Sequence, residues 1–207
     1  MLFVKYDNLK SEFMSRPEIK NVRREQILDA FEVCVARFGV EGATLAKTAE
    51  QAGIARPLVR HNVGNRDELM DALVERFLQN SRSRMDAFID ALPNKRRIET
   101  AIDWLFCYDH TDAEFIRLSY ALIVSSADNP ALADKMNIWL NEFISALTDL
   151  IASEYPEADP EQVIAVATGI TGIYFNAESL STIGSLDALI AASKRSALIL
   201  LASLESG

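Results

Sequence analysis

Apolar residues recur every three or four positions along nearly the whole chain. No stretch between turn signals alternates apolar and polar residues as a half-buried strand would. That single period confines the 207 residues to an all-α fold, in which each helix must bury its apolar stripe against other helices. Cutting the pattern at its glycines, prolines and capping residues gives about nine helices and no internal repeat.

The first helix is expected from Pro17 to Phe38, with Ile27, Leu28, Phe31, Val35 and Phe38 as its stripe and Gly39 as a left-handed stop. Residues 1–16 read as a mobile arm, and Met14 is a second candidate start. Short helices follow at Leu45–Ala52 and from Arg56. A long one runs from Asn65 to Ala91, opened by an Asn65/Glu68 capping box. Further helices are expected from Lys95 to Tyr108, from a Thr111/Glu114 capping box to Ala127, and after the Asp128-Asn129-Pro130 break. Two more fill Glu161–Leu180 and Leu186–Leu204, the first of them capped by Asp159 ahead of Pro160.

The net charge of −9 is unevenly placed. Residues 1–70 carry 11 Lys/Arg against 10 Asp/Glu, whereas the remainder carries 10 against 20. A mildly basic head thus sits on an acidic body. Salt screens charges beyond about 10 Å at 0.1 M, so the body does not prevent the head from meeting phosphates. Cys34 and Cys107 make no disulfide framework, which suits a reduced, cytoplasmic setting. The charged start MLFVKYDNLK lacks a signal peptide's apolar run, and the longest such run, ALILLA, is too short to span a bilayer. No membrane association and no cofactor are expected.

The head contains LAKTAEQAGIARPLVRHNVGNRDEL, residues 45–69. Thr44 is the expected N-cap of the first short helix, and Gly53 permits the positive φ of a tight turn. Ile54 would anchor that turn to the core. Small Ala49 allows two crossing helices to approach, Pro57 is tolerated in a first turn, and Val59 packs inward. Arg56, Arg60 and His61 then share the outward side of a helix that fits a major groove. A solvated helical corner whose arginines pair with nearby acids would show the same spacing.

The stretch EGATLAKTAEQAGIARPLVRHNVGNRDEL, preceded by ILDAFEVCVARFG, resembles the DNA-binding domain of the TetR family of transcriptional regulators. The likeness covers Arg23 to Leu78 in detail and only the helical layout and length beyond. It implies a helix-turn-helix DNA-binding domain over 17–64 and an effector-binding and dimerisation domain over 65–207. DNA contacts would come from Thr44, Lys47, Ala55, Arg56, Arg60, His61 and Arg66, with Arg23 and Arg24 as further candidates. The chain departs from the family at Arg60, commonly Tyr, at Val63, commonly Phe, at Ala55, often Ser, and at Thr48, often Ile. Losing the cap hydroxyl at Ala55 costs about 1 kcal/mol, and Thr48 and Val63 are expected to loosen packing beneath the second short helix.

The resemblance implies a non-enzymatic, homodimeric repressor that leaves a palindromic operator when a small, largely apolar effector binds. Trp104, Tyr108, His110, Phe115, Tyr120, Trp139, Phe143 and Tyr174 are the candidate pocket residues. Ala165, Gly169, Gly172, Leu186, Leu189, Ile190, Ser193, Ala197 and Leu200 on the last two helices are the candidate dimer interface. The alternative is a ligand-independent dimeric DNA-binding or protein-interaction module. An enzyme is disfavoured: no Glu precedes either histidine by three residues, and no metal cluster, nucleophile elbow or phosphate loop occurs.

Overall fold

The computed structural model describes residues 16–107, 112–180, 183–184 and 186–205. The expected arm lies outside these residues except for Arg16. Among the described residues every regular element is a helix: α1 Arg16–Gly42, α2 Leu45–Ala52, α3 Arg56–Val63, α4 Arg66–Ala91, α5 Arg97–Leu105, α6 Ala113–Ser126, α7 Pro130–Glu154, α8 Pro160–Leu180 and α9 Asp187–Ala202, then a 3₁₀ turn at Ser203–Glu205.

Two compact units divide between Arg76 and Phe77, within α4 rather than before Asn65 as expected. The reason lies in the first part of α4. Leu69, Leu73 and Val74 are 2% exposed or less and complete the core that Ile27, Phe31 and Val35 of α1 begin. Arg76 adds ion pairs to Glu25, Asp29 and Glu32 of α1. The capping box forms as expected: the Glu68 amide donates to Asn65 Oδ1 at 2.9 Å, and the Asn65 amide to Glu68 Oε2 at 2.9 Å.

α1 carries non-helical dihedrals at Gly39 (φ 70°, ψ 170°), so its regular part stops where the sequence suggests. Phe38, expected in the stripe, is 50% exposed. It is the last residue before that break, and the Lys47 ammonium lies 4.1 Å from its ring centre.

In the second unit α7 packs on α6 and α8, α8 on α9, and α5 on α7 and α9. Ile98, Ile102, Ile151 and Ile170 are fully buried at its centre. α5 is shorter than expected and begins after Arg96 in left-handed backbone (φ 55°). Its Arg97 amide donates 2.6 Å to Glu154 of α7, a tertiary cap that substitutes for a local one. Thr111 lies outside the described residues. The observed cap of α6 is Asp112, whose carboxylate accepts the Glu114 and Phe115 amides at 3.1 Å each. Asp159 caps α8 as expected, and Asn129, read only as part of a break, caps α7 through the Leu132 amide.

By length and composition alone α8 could cross a membrane, with a mean hydropathy of 1.3 over its most apolar window. Searching only for uninterrupted apolar runs overlooks it, because Thr, Gly and Asn dilute the run. In the structure Val163, Val166, Ala167, Ile170, Thr171 and Ala177 of α8 are buried.

Candidate functional site

Two arrangements stand out, one in each unit. In the first, Thr44 begins α2 by accepting the Lys47 amide at 3.3 Å. Gly53 ends it in left-handed backbone (φ 66°, ψ 29°), and the Ile54 amide closes onto the Ala49 carbonyl at 3.0 Å. Ala49 and Val59 are 4% and 0% exposed, so α2 and α3 meet across a small residue and a β-branched one. Ala55 leads into α3 without a side-chain cap, and Pro57 sits in its first turn.

This packing turns Arg56, Arg60 and His61 to the exposed side together, with Ala55, Thr44 and Lys47 also exposed. No ion pair among the described residues uses Arg56, Arg60 or His61. Arg24 is exposed and Arg23 half-buried on α1. Arg66, the expected phosphate contact, already has partners within its own unit. Its guanidinium donates to the Val40 carbonyl and lies 3.9 Å from Glu41, tying the turn after α1 to the start of α4. Packing under α3 is not loose either. Thr48 is fully buried with its hydroxyl donating to the Thr44 carbonyl at 3.0 Å, and Val63 is 8% exposed. Burial pushes the neighbouring Cys34 thiol above its ordinary pKa, against a smaller opposing effect of Thr48.

The second arrangement is a cavity of about 240 Å³ wholly within the second unit. Five expected residues line it: Trp104, Phe115, Trp139, Phe143 and Tyr174. Tyr120 does not line it. Its hydroxyl donates 2.7 Å to the Phe175 carbonyl, which fixes α8 from behind. Tyr108 and His110 lie outside the described residues. The walls are rings in contact: Phe143 stacks on Tyr174 at 5.7 Å between centres and 4° between planes, and Trp139 on Phe175 at 5.3 Å and 28°. The indole of Trp139 donates to Ser81 Oγ at 2.6 Å, so its ring is held by α4.

Three charged side chains on this cavity were missed by sequence reasoning: Arg84, Asp112 and Glu178. Arg84 and Asp112 pair at 2.9 Å with their side chains about half exposed, and the guanidinium lies 4.5 Å from the Phe115 ring centre. Burial opposes ionisation of Asp112, but Arg84 and the two capped amides outweigh it and hold the carboxyl below its ordinary pKa. Glu178 is different. Burial pushes its carboxyl above the ordinary value, and the hydrogen bond from the Tyr174 hydroxyl (2.6 Å) and the more distant Arg84 offset this only in part. Burial and the Glu178 charge together push the Tyr174 hydroxyl far above its ordinary pKa. One signal was available in the sequence: apart from Glu161 in the first turn, Glu178 is the only charged residue of α8.

The proposed interface residues divide in two. Ser193 and Ala197 are buried within the subunit, Ile190 lines the cavity, and a Cβ at Gly169 would come within 2.9 Å of Leu200. These four positions and Leu200 therefore serve internal packing, a correction to the sequence expectation. Small residues at helical spacing mark any close helix contact, inside a subunit as readily as between two. Leu186 and Leu189 are half-buried. Ala165 and Gly172 are exposed beside Ile164 and Thr168 on α8, while α9 exposes Ala188, Ala192, Ser196 and Ile199.

No protein-family model matches the chain. In sequence it is similar to the HTH-type transcriptional regulator BetI of Paraburkholderia phymatum, 26% identical over 148 residues that cover 70% of this chain and 75% of that protein. In structure it is similar to a TetR-family transcriptional regulator from Cytophaga hutchinsonii, with a TM-score of 0.72 and 15% identity over 92% of this chain and 97% of that one. The multidrug binding protein EbrR, solved in complex with imidazole, matches with a TM-score of 0.60 and 22% identity over 86% and 94% of the two chains. Motif, fold and relatives point the same way: the chain has the all-helical fold of these solved regulators and, in sequence, resembles TetR-family transcriptional regulators.

Proposed function

We propose that the protein is a homodimeric, cytoplasmic repressor, not an enzyme, that grips a palindromic operator through α2 and α3 and releases it when a small molecule fills the cavity. The observation that carries the DNA half is the outward set of Arg56, Arg60 and His61 on a helix anchored by Val59. Guanidiniums on such a helix suit bidentate contacts to guanine O6 and N7. Thr44 and Lys47 at the start of α2 are placed for backbone phosphates, with Ala55, Arg66, Arg23 and Arg24 as secondary positions.

The effector half rests on the aromatic cavity. EbrR, a neighbour in fold, was solved with a small organic molecule bound. α4 offers a physical link, because it carries Arg66 near its start and Ser81, Arg84, Met85 and Phe88 on the cavity wall. A ligand that prefers one placement of α4 shifts the population toward it, and a dimer's two recognition helices must stay about 34–36 Å apart to hold successive major grooves. The exposed apolar strip of α8 and α9, with Ile164, Ala165, Gly172 and Ile199, suits a two-fold partner.

Selection of bound fragments from random duplex DNA tests this reading, with Arg60→Ala beside the wild type. A palindromic motif is expected, and the variant loses about 1–3 kcal/mol and relaxes specificity at one base position per half-site. No enrichment by the wild type at low salt overturns it.

A further inference from the structure

The chemistry of the cavity narrows what can occupy it, on the premise that the cavity is the effector site. We propose that it takes a compact organic cation, a quaternary ammonium or protonated amine carrying about one ring, with the charge held between the Glu178 carboxylate and the rings of Trp139, Phe143 and Tyr174.

Four observations lead there. First, size: about 240 Å³ falls below the roughly 300–1,000 Å³ of drug-sized sites, so the ligand is small. Second, the walls are aromatic rings packed on one another. Their π-systems attract a desolvated cation and give nothing comparable to an anion. Third, the charge count is uneven. Arg84 is already paired to Asp112, and among the described residues no lysine or arginine forms an ion pair with Glu178. Among the described residues only the Tyr174 hydroxyl is bonded to that carboxylate, leaving one oxygen able to accept from a protonated amine or lie against a quaternary one. The more distant Arg84 offsets only part of the cost of desolvating this carboxylate, and a bound cation supplies the rest. Fourth, the same wall already holds a cation, because the Arg84 guanidinium sits over the Phe115 ring with Asp112 as its counter-ion. The Glu178 side repeats that combination of ring and carboxylate with the cation's place open.

A neutral apolar ligand would fill the volume but leave Glu178 uncompensated. An anion would meet Glu178 directly and find the nearest guanidinium engaged.

Three probes of one shape separate these cases: benzyltrimethylammonium, neutral neopentylbenzene and anionic phenylmethanesulfonate, each titrated by quenching of tryptophan fluorescence. A desolvated cation–π and carboxylate contact predicts that the cation binds at least about tenfold more tightly than either isostere. Glu178→Gln removes that preference while neopentylbenzene affinity stays within about twofold, and the unchanged neutral affinity shows that the variant is folded. Equal or tighter binding of either isostere overturns the proposal and leaves the cavity an effector site of another class. Retention of the cation preference by Glu178→Gln also overturns it. If none of the three binds, both the cation assignment and the small-ligand reading fail.

Discussion

The two units place their charges in opposite surroundings. In the first, Arg56, Arg60 and His61 stand in water on a short helix whose core side is Val59 and Val63. Other arginines of that unit have partners inside it, Arg76 three carboxylates of α1 and Arg66 a backbone carbonyl and Glu41. In the second unit one carboxylate, Glu178, lies half-buried on a ring-lined cavity and, among the described residues, accepts from a single hydroxyl. On the proposed function the difference follows from the partner. A polyanion is read by several screened charges acting together, each weak alone. A small ligand offers one charge, and only a low-dielectric site makes one charge decisive.

Salt is the sharpest way to break this contrast. A dimer making six to ten phosphate contacts loses about 10³–10⁵ in operator affinity between 50 and 200 mM salt. Benzyltrimethylammonium affinity should change by no more than about threefold over the same range, because buried pairs are screened far less. Parallel fluorescence titrations measure both, and equal slopes would erase the distinction.

A smaller effect is expected at Ala55, the uncapped start of α3. Ala55→Ser restores a hydroxyl to the N-cap and should stabilise the protein by about 1 kcal/mol in urea unfolding. Cavity-ligand affinity should stay unchanged, since the residue lies in the other unit.

The smallest effect is a dependence on pH. The Glu178 carboxyl ionises near 4.5 in the unfolded chain and higher in the folded one. Between those values the folded state keeps a proton that the unfolded state has lost, so its stability falls as pH rises through the window, and the deficit persists above it. Glu178→Gln removes that titration. Its melting temperature relative to wild type should therefore climb from pH 4 to pH 8 in ligand-free protein, and a flat difference would show that Glu178 is well solvated.

How much of this was legible in the sequence depended on distance along the chain. The caps and turn that bound α2, and the start of α4, act over a few residues: Thr44 on Lys47, Ala49 on Ile54, Asn65 on Glu68. Such spacings are visible in a string of letters, and the outward side of α3 followed from Val59 alone. The cavity is built from six helices, and Arg84, Asp112 and Glu178 meet only after those helices pack. Aromatic spacing identified five wall residues, yet Tyr120 shows the same spacing and turns elsewhere. Ser193 and Ala197 failed for a related reason, because periodicity reveals that a face is packed without saying whose surface covers it.

The border between the units falls inside α4, a single helix of 26 residues. Exchanging parts with a relative is therefore less simple than two units suggest. A splice at Arg76/Phe77 joins two helical half-turns whose registers must agree, and one residue of slippage rotates everything downstream by about 100°. A splice at Gly64 keeps α4 whole but brings in foreign residues where Leu69, Leu73 and Val74 close the first core. α4 belongs to both inheritances at once, so a new operator preference grafted onto this body needs α4 redesigned with it.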